Sequence, residues 1–138
     1  MESDIENIVN KIMNFKPRND DWFELEEILE KLYNSNRVGL GLEAMLRIYE
    51  RYPDEDNDIL WGMLHGIEGI ENYEVKVIES IARTPSFFGI LMINRMLNAK
   101  IYSIENINLI DILKSVVGNP IATNYVKETA SHFISIGK

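Results

Sequence analysis

The chain has no cysteine among its 138 residues. Disulfides, a thiolate nucleophile and every cysteine-based zinc or iron–sulfur centre are thereby excluded. Such usage suits a reducing compartment. Histidine is nearly as scarce, with only His65 and His132. Long apolar runs are missing too. The longest is Phe87–Ile93, counting Gly89, far short of the roughly 20 residues a spanning helix needs. Basic residues are in deficit, with 14 Lys and Arg against 22 Asp and Glu, a formal net charge of −8. Nucleic-acid binding calls for a basic footprint, and attraction to an anionic membrane surface does likewise, so both are excluded. The start, Met1-Glu2-Ser3-Asp4, lacks the basic segment of a secretory signal. A cytoplasmic protein is the expectation.

What is present is ordinary for a globular chain: 46% hydrophobic and 9% aromatic residues. A chain of this length can bury about two-thirds of its unfolded surface without staples. Apolar residues recur at helical intervals nearly throughout, and no segment sustains strand-like alternation. Ile5, Ile8, Val9, Ile12 and Met13 make the face of a first helix. A second, capped by Asn19 or Asp20, carries Trp22, Phe23, Leu25, Ile28, Leu29 and Leu32. Further helices are predicted over 40–52, 59–69, 73–83, 85–97, 103–118 and 121–133, with residues 101–107 open to a short extended piece. Proline is rare, and each of the four falls at a predicted boundary: Pro17, Pro53, Pro85 and Pro120.

The fold class read from this pattern is all-α. About eight short helices form consecutive antiparallel hairpins, stacked as a bundle or α-solenoid. No linker divides the chain, so residues 1–138 are read as one domain.

Charge is distributed unevenly. Residues 1–80 hold 19 acidic and 8 basic side chains, a net of −11, while residues 81–138 hold 3 and 6, a net of +3. Two acidic stretches stand out as candidate partner-binding residues. One is Asp20 and Asp21 with Glu26, Glu27 and Glu30 of the second helix; the other is Asp54, Glu55, Asp56 and Asp58. The bland alternative is a solvated face, with Glu27 paired to Lys31 one turn on and with first-turn acids matched to the helix dipole. A calcium loop is not expected at Asp54, because the sixth residue after it is Leu60 and the closing glutamate is missing. No metal, cofactor or catalytic set is expected.

The stretch Trp61-Gly62-Met63-Leu64-His65-Gly66-Ile67-Glu68-Gly69 is unusual, because glycine weakens a helix interior unless close packing offsets the cost. Trp61, His65 and Glu68 share one side of that helix. His65 and Glu68 could be read as an acid–base pair, but no nucleophile, phosphate loop or metal box accompanies them. The favoured reading is a polar knot within the helical core, with Arg95 pairing Glu68 and the amide of Asn94 or Asn98 bonding His65.

Asp58-Ile59-Leu60-Trp61-Gly62-Met63-Leu64-His65-Gly66-Ile67-Glu68, followed by Tyr73, Pro85-Ser86-Phe87-Phe88 and Asn94-Arg95-Met96-Leu97-Asn98, resembles the core of small bacterial immunity proteins of the immunity protein 30 type. The resemblance covers about a third of the chain, Asp58 to Asn98. It implies a non-enzymatic protein that binds a cognate toxin domain and blocks it. It also implies that Trp61, His65, Glu68, Asn94, Arg95 and Asn98 form the polar core of the fold rather than the toxin contact. Physics is compatible: a nuclease toxin presents a basic cleft, and an acidic blocker is steered to it. The alternatives are a helical-repeat adaptor for some other protein and, well behind, a small enzyme using His65 and Glu68.

Overall fold

A computed structural model describes residues 4–137, which places Met1–Ser3 of the acidic start outside the described residues. The fold is all-α, with eight α-helices and one two-stranded ribbon among the described residues. The chain forms two compact units. One takes residues up to Ile48 together with Asn57–Tyr73, and the other takes Tyr49–Asp56 and the residues from Glu74 onward.

In the first unit, α1 (Asp4–Met13) packs on α2 (Phe23–Tyr33) and on a short 3-10 helix, Val38–Gly41. That 3-10 helix leads into α3 (Leu42–Arg51), and α2 also packs against α4 (Asp58–Glu68). Ile5 and Ile12 of α1, Leu25, Ile28, Leu29 and Leu32 of α2, and Leu60, Met63, Leu64 and Ile67 of α4 are buried, the helical spacing expected. The turn between α1 and α2 differs from expectation. Asn19 and Asp20 do not cap α2. They occupy the left-handed region, with φ of 52° and 64°, and form the tip of a tight turn that the Arg18–Asp21 bridge closes. Asn and Asp tolerate that conformation better than other non-glycine residues, which explains the substitution of turn for cap. Trp22 then turns inward and meets Phe15 at 5.5 Å between ring centroids, pinning both ends of the loop.

The second unit holds α5 from Glu74 on (Tyr73–Arg83), α6 (Phe87–Asn98), strands β1 (Ser103–Ile104) and β2 (Ile107–Asn108), α7 (Leu109–Val117) and α8 (Asn124–Ile136). Helix α6 packs on both α7 and α8, which also pack on each other. It is buried nearly all round, from Phe87 to Met96, as the longest apolar run requires. Three starts fall later than the sequence implied. Ser86, not Thr84, caps α6, its hydroxyl accepting from the Gly89 N–H at 3.0 Å. Residues 103–108 form an antiparallel ribbon whose turn residues Glu105 and Asn106 have φ of 49° and 69°, so α7 begins only at Leu109. Pro120 lies in a turn, and Thr123 caps α8 by accepting from the Val126 N–H at 3.1 Å. In each case a short polar side chain, Ser86, Asn108 or Thr123, accepts from a first-turn N–H that the helix itself leaves without a partner.

Candidate functional site

Four of the six acidic candidates of the first unit come together, and Asp20 and Asp21 do not join them. Glu26, Glu27 and Glu30 of α2 and Asp58 in the first turn of α4 line one groove of about 430 Å³. Phe23, Leu29, Tyr33, Ile59, Gly62 and Met63 complete its lining. Two stretches 28 residues apart, Glu30 and Asp58, thus serve one surface. Among the described residues, none of these four carboxylates is in an ion pair. In particular, Glu27 and Lys31 do not pair, although both also line a second groove on the α1 side of α2. That second groove carries Lys11, Lys16 and Arg18 as well, so Glu27 faces cations while Glu26 and Glu30 do not line it.

The groove's aromatic members escaped the sequence reading. Phe23, one of the apolar positions of the second helix, is 57% exposed. The signal lay in the phase of α2: Phe23, Glu26, Glu30 and Tyr33 are spaced i, i+3, i+7 and i+10, a single stripe away from the buried Leu25, Leu29 and Leu32. The Tyr33 ring lies over Gly66, where a Cβ would approach its hydroxyl to 2.6 Å, so a larger residue there would displace that ring rather than a neighbouring helix backbone. Gly62 differs, since a Cβ there would meet nothing within 4 Å.

Burial pushes the Tyr33 phenol above its ordinary value. The folded state therefore favours the neutral phenol, and the stability this confers is present below about pH 10 and lost as pH rises through the raised folded pKa. An alkaline titration followed by tyrosinate ultraviolet absorbance should show a late component, and Tyr33→Phe should remove part of it. An unchanged profile in Tyr33→Phe would contradict the burial of the hydroxyl.

In the second unit, the acidic loop is partly committed to structure. Asp54 accepts a hydrogen bond from the Thr123 hydroxyl, which itself caps α8. Asp54 is therefore a tether as well as a charge. The Tyr125 ring, 41% exposed, stacks on Phe87 with centroids 5.7 Å apart. Burial, then the carboxylates of Asp56 and Asp54, raise its phenol pKa. Glu55 is half-buried, while Asp20 and Asp21 sit on the α1–α2 turn, where Asp21 accepts from the Phe23 N–H at 2.9 Å.

The resemblance residues divide. Asn94 is buried, and Trp61, Glu68 and Arg95 are partly buried. His65 and Asn98 are exposed, which corrects the expectation that they lie in a polar core. The His65 side chain is 63% exposed, and its Nδ1 stands 4.0 Å from Glu68 Oε1, beyond hydrogen-bond length. The phase of α4 explains this: Leu60, Met63, Leu64 and Ile67 take the inward positions, leaving His65 to solvent. Among the described residues no group of three or more His, Asp or Glu is placed to hold a metal, and no helix is long and apolar enough to cross a membrane.

No protein-family model, curated protein or solved structure matches the chain. Each unit presents carboxylates beside exposed aromatic rings, and tyrosine and phenylalanine beside charge are typical anchors of protein interfaces.

Proposed function

We propose that the protein neutralises a bacterial toxin domain by binding it, without catalysis, in the cytoplasm of the producing cell. The observation that carries this reading is the convergence of Glu26, Glu27, Glu30 and Asp58 with Phe23 and Tyr33 on one groove. Carboxylates of one sign speed encounter with a basic surface, and exposed aromatic rings then supply affinity once water is expelled. The similarity of Trp61–Glu68 and Asn94–Asn98 to immunity proteins supports the same reading from a different direction. His65 is exposed and its Nδ1 stands 4.0 Å from Glu68 Oε1, a spacing that offers acid–base chemistry no organised geometry.

The decisive experiment is growth rescue. A toxin encoded beside this protein should arrest cells when expressed alone and spare them when this protein is co-expressed. Purified complex should form faster at low ionic strength than at high. Failure to rescue growth against every neighbouring toxin candidate would overturn the reading in favour of an adaptor for another protein.

A further inference from the structure

We infer that the groove between α2 and α4 is a docking site for a cationic amphipathic helix carried by the partner. The inference rests on the reading above that the partner is a basic protein, and adds which element of it is held and where.

The groove lies between two packed helices, and such a trough accepts a third helix as a ridge. Its lining alternates two chemistries. Leu29 and Met63 are buried, while the rings of Phe23 and Tyr33 are exposed to the groove's surroundings. Glu26, Glu27, Glu30 and Asp58 supply charge of a single sign, and no Lys, Arg or His is among the lining residues. An occupant must therefore bring apolar side chains on one face and Lys or Arg beside them. An anionic peptide would be repelled, and an extended strand would find no sheet edge at a surface made of helices.

Gly62 points the same way. Glycine weakens a helix interior, and internal packing does not demand it here, because a Cβ would meet nothing within 4 Å. Its effect is to keep the α4 backbone bare inside the groove, which allows a third helix to approach closely.

The test uses a synthetic amidated peptide with leucine and lysine at helical spacing, and a scrambled isomer of identical composition. Amide shifts should move around Glu26, Glu30 and Gly62 on adding the first peptide, and the isomer should bind at least about tenfold more weakly. Gly62→Leu fills the groove, and the pair Glu26→Arg with Glu30→Arg inverts its rim. Each should weaken the peptide by about tenfold or more, with circular dichroism confirming a folded chain. Shifts centred on another surface, equal affinity for the scrambled isomer, or full affinity in Gly62→Leu would each overturn the inference. The two proposals fail separately. A Gly62→Leu chain that still neutralises a toxin at full strength removes the groove and leaves the toxin reading intact. Peptide docking in the groove without any growth rescue removes the toxin reading alone.

Discussion

Replacing Glu50 by alanine should destabilise the fold by about 3 kcal/mol, the lower end for breaking a buried ion pair. The Glu50 carboxylate is only 7% exposed, and it accepts from the Ser80 hydroxyl at 2.7 Å and from Arg83 Nη2 at 2.8 Å. Arg83 Nε reaches both carboxylate oxygens at 3.2 Å. Removing the acid takes the carboxylate partner from a buried serine hydroxyl and from a half-buried guanidinium. Arg83 remains 31% exposed and regains some hydration, which places the cost below that of a fully buried pair. A thermal melt should fall by roughly 10 °C. Glu50→Gln keeps an acceptor for Ser80 while discarding the charge, so it should cost about half as much. A melt of Glu50→Ala within about 2 °C of the parent would refute the assignment.

Phe88→Ala should cost about 4 kcal/mol, chiefly as lost transfer energy and an unfilled cavity. Phe88 is 1% exposed at the start of α6. Its ring stacks on Tyr49 with centroids 4.8 Å apart and planes 16° from parallel, and it meets Phe87 edge-on at 5.1 Å. Such ring pairs add about 0.5–1.5 kcal/mol beyond area burial. Phe88→Leu preserves much of the volume and should lose about 1.5 kcal/mol or less. Urea unfolding separates the two by their midpoints. Equal midpoints for Phe88→Ala and Phe88→Leu would show that the site collapses around the smaller side chain.

Neither interaction was visible in the chain, and the reasons are physical. Glu50 and Arg83 lie 33 positions apart, and helical periodicity specifies which face is buried, not which face meets which. The carboxylate singled out from sequence was Glu68, because His65 and Trp61 share its side of α4. Helix existence was legible because the apolar spacing and the four prolines agreed. Helix starts were less so: Ser86 rather than Thr84 caps α6, and α8 starts beyond Pro120 at the Thr123 cap. The ribbon at 103–108 was half legible. Its turn needs two left-handed residues, and Glu105 is a poor advertisement for that conformation. The acidic residues of the groove were found from charge alone. Their meeting in space, and the rings of Phe23 and Tyr33 beside them, needed the packing of α2 against α4.

The two tryptophans, Trp22 and Trp61, both belong to the unit built from residues up to Ile48 and Asn57–Tyr73. Intrinsic fluorescence excited selectively at tryptophan is consequently a reporter for that unit, whereas far-ultraviolet circular dichroism sums the helices of both. Glu50, Ser80, Arg83 and Phe88 all lie in the other unit. The Glu50→Ala and Phe88→Ala chains thus carry their lesions where neither fluorophore sits. If their fluorescence and dichroism transitions shift together, the chain unfolds as one cooperative body. If dichroism gains an early step that fluorescence does not see, the units unfold in sequence, and the groove-bearing unit outlasts its companion.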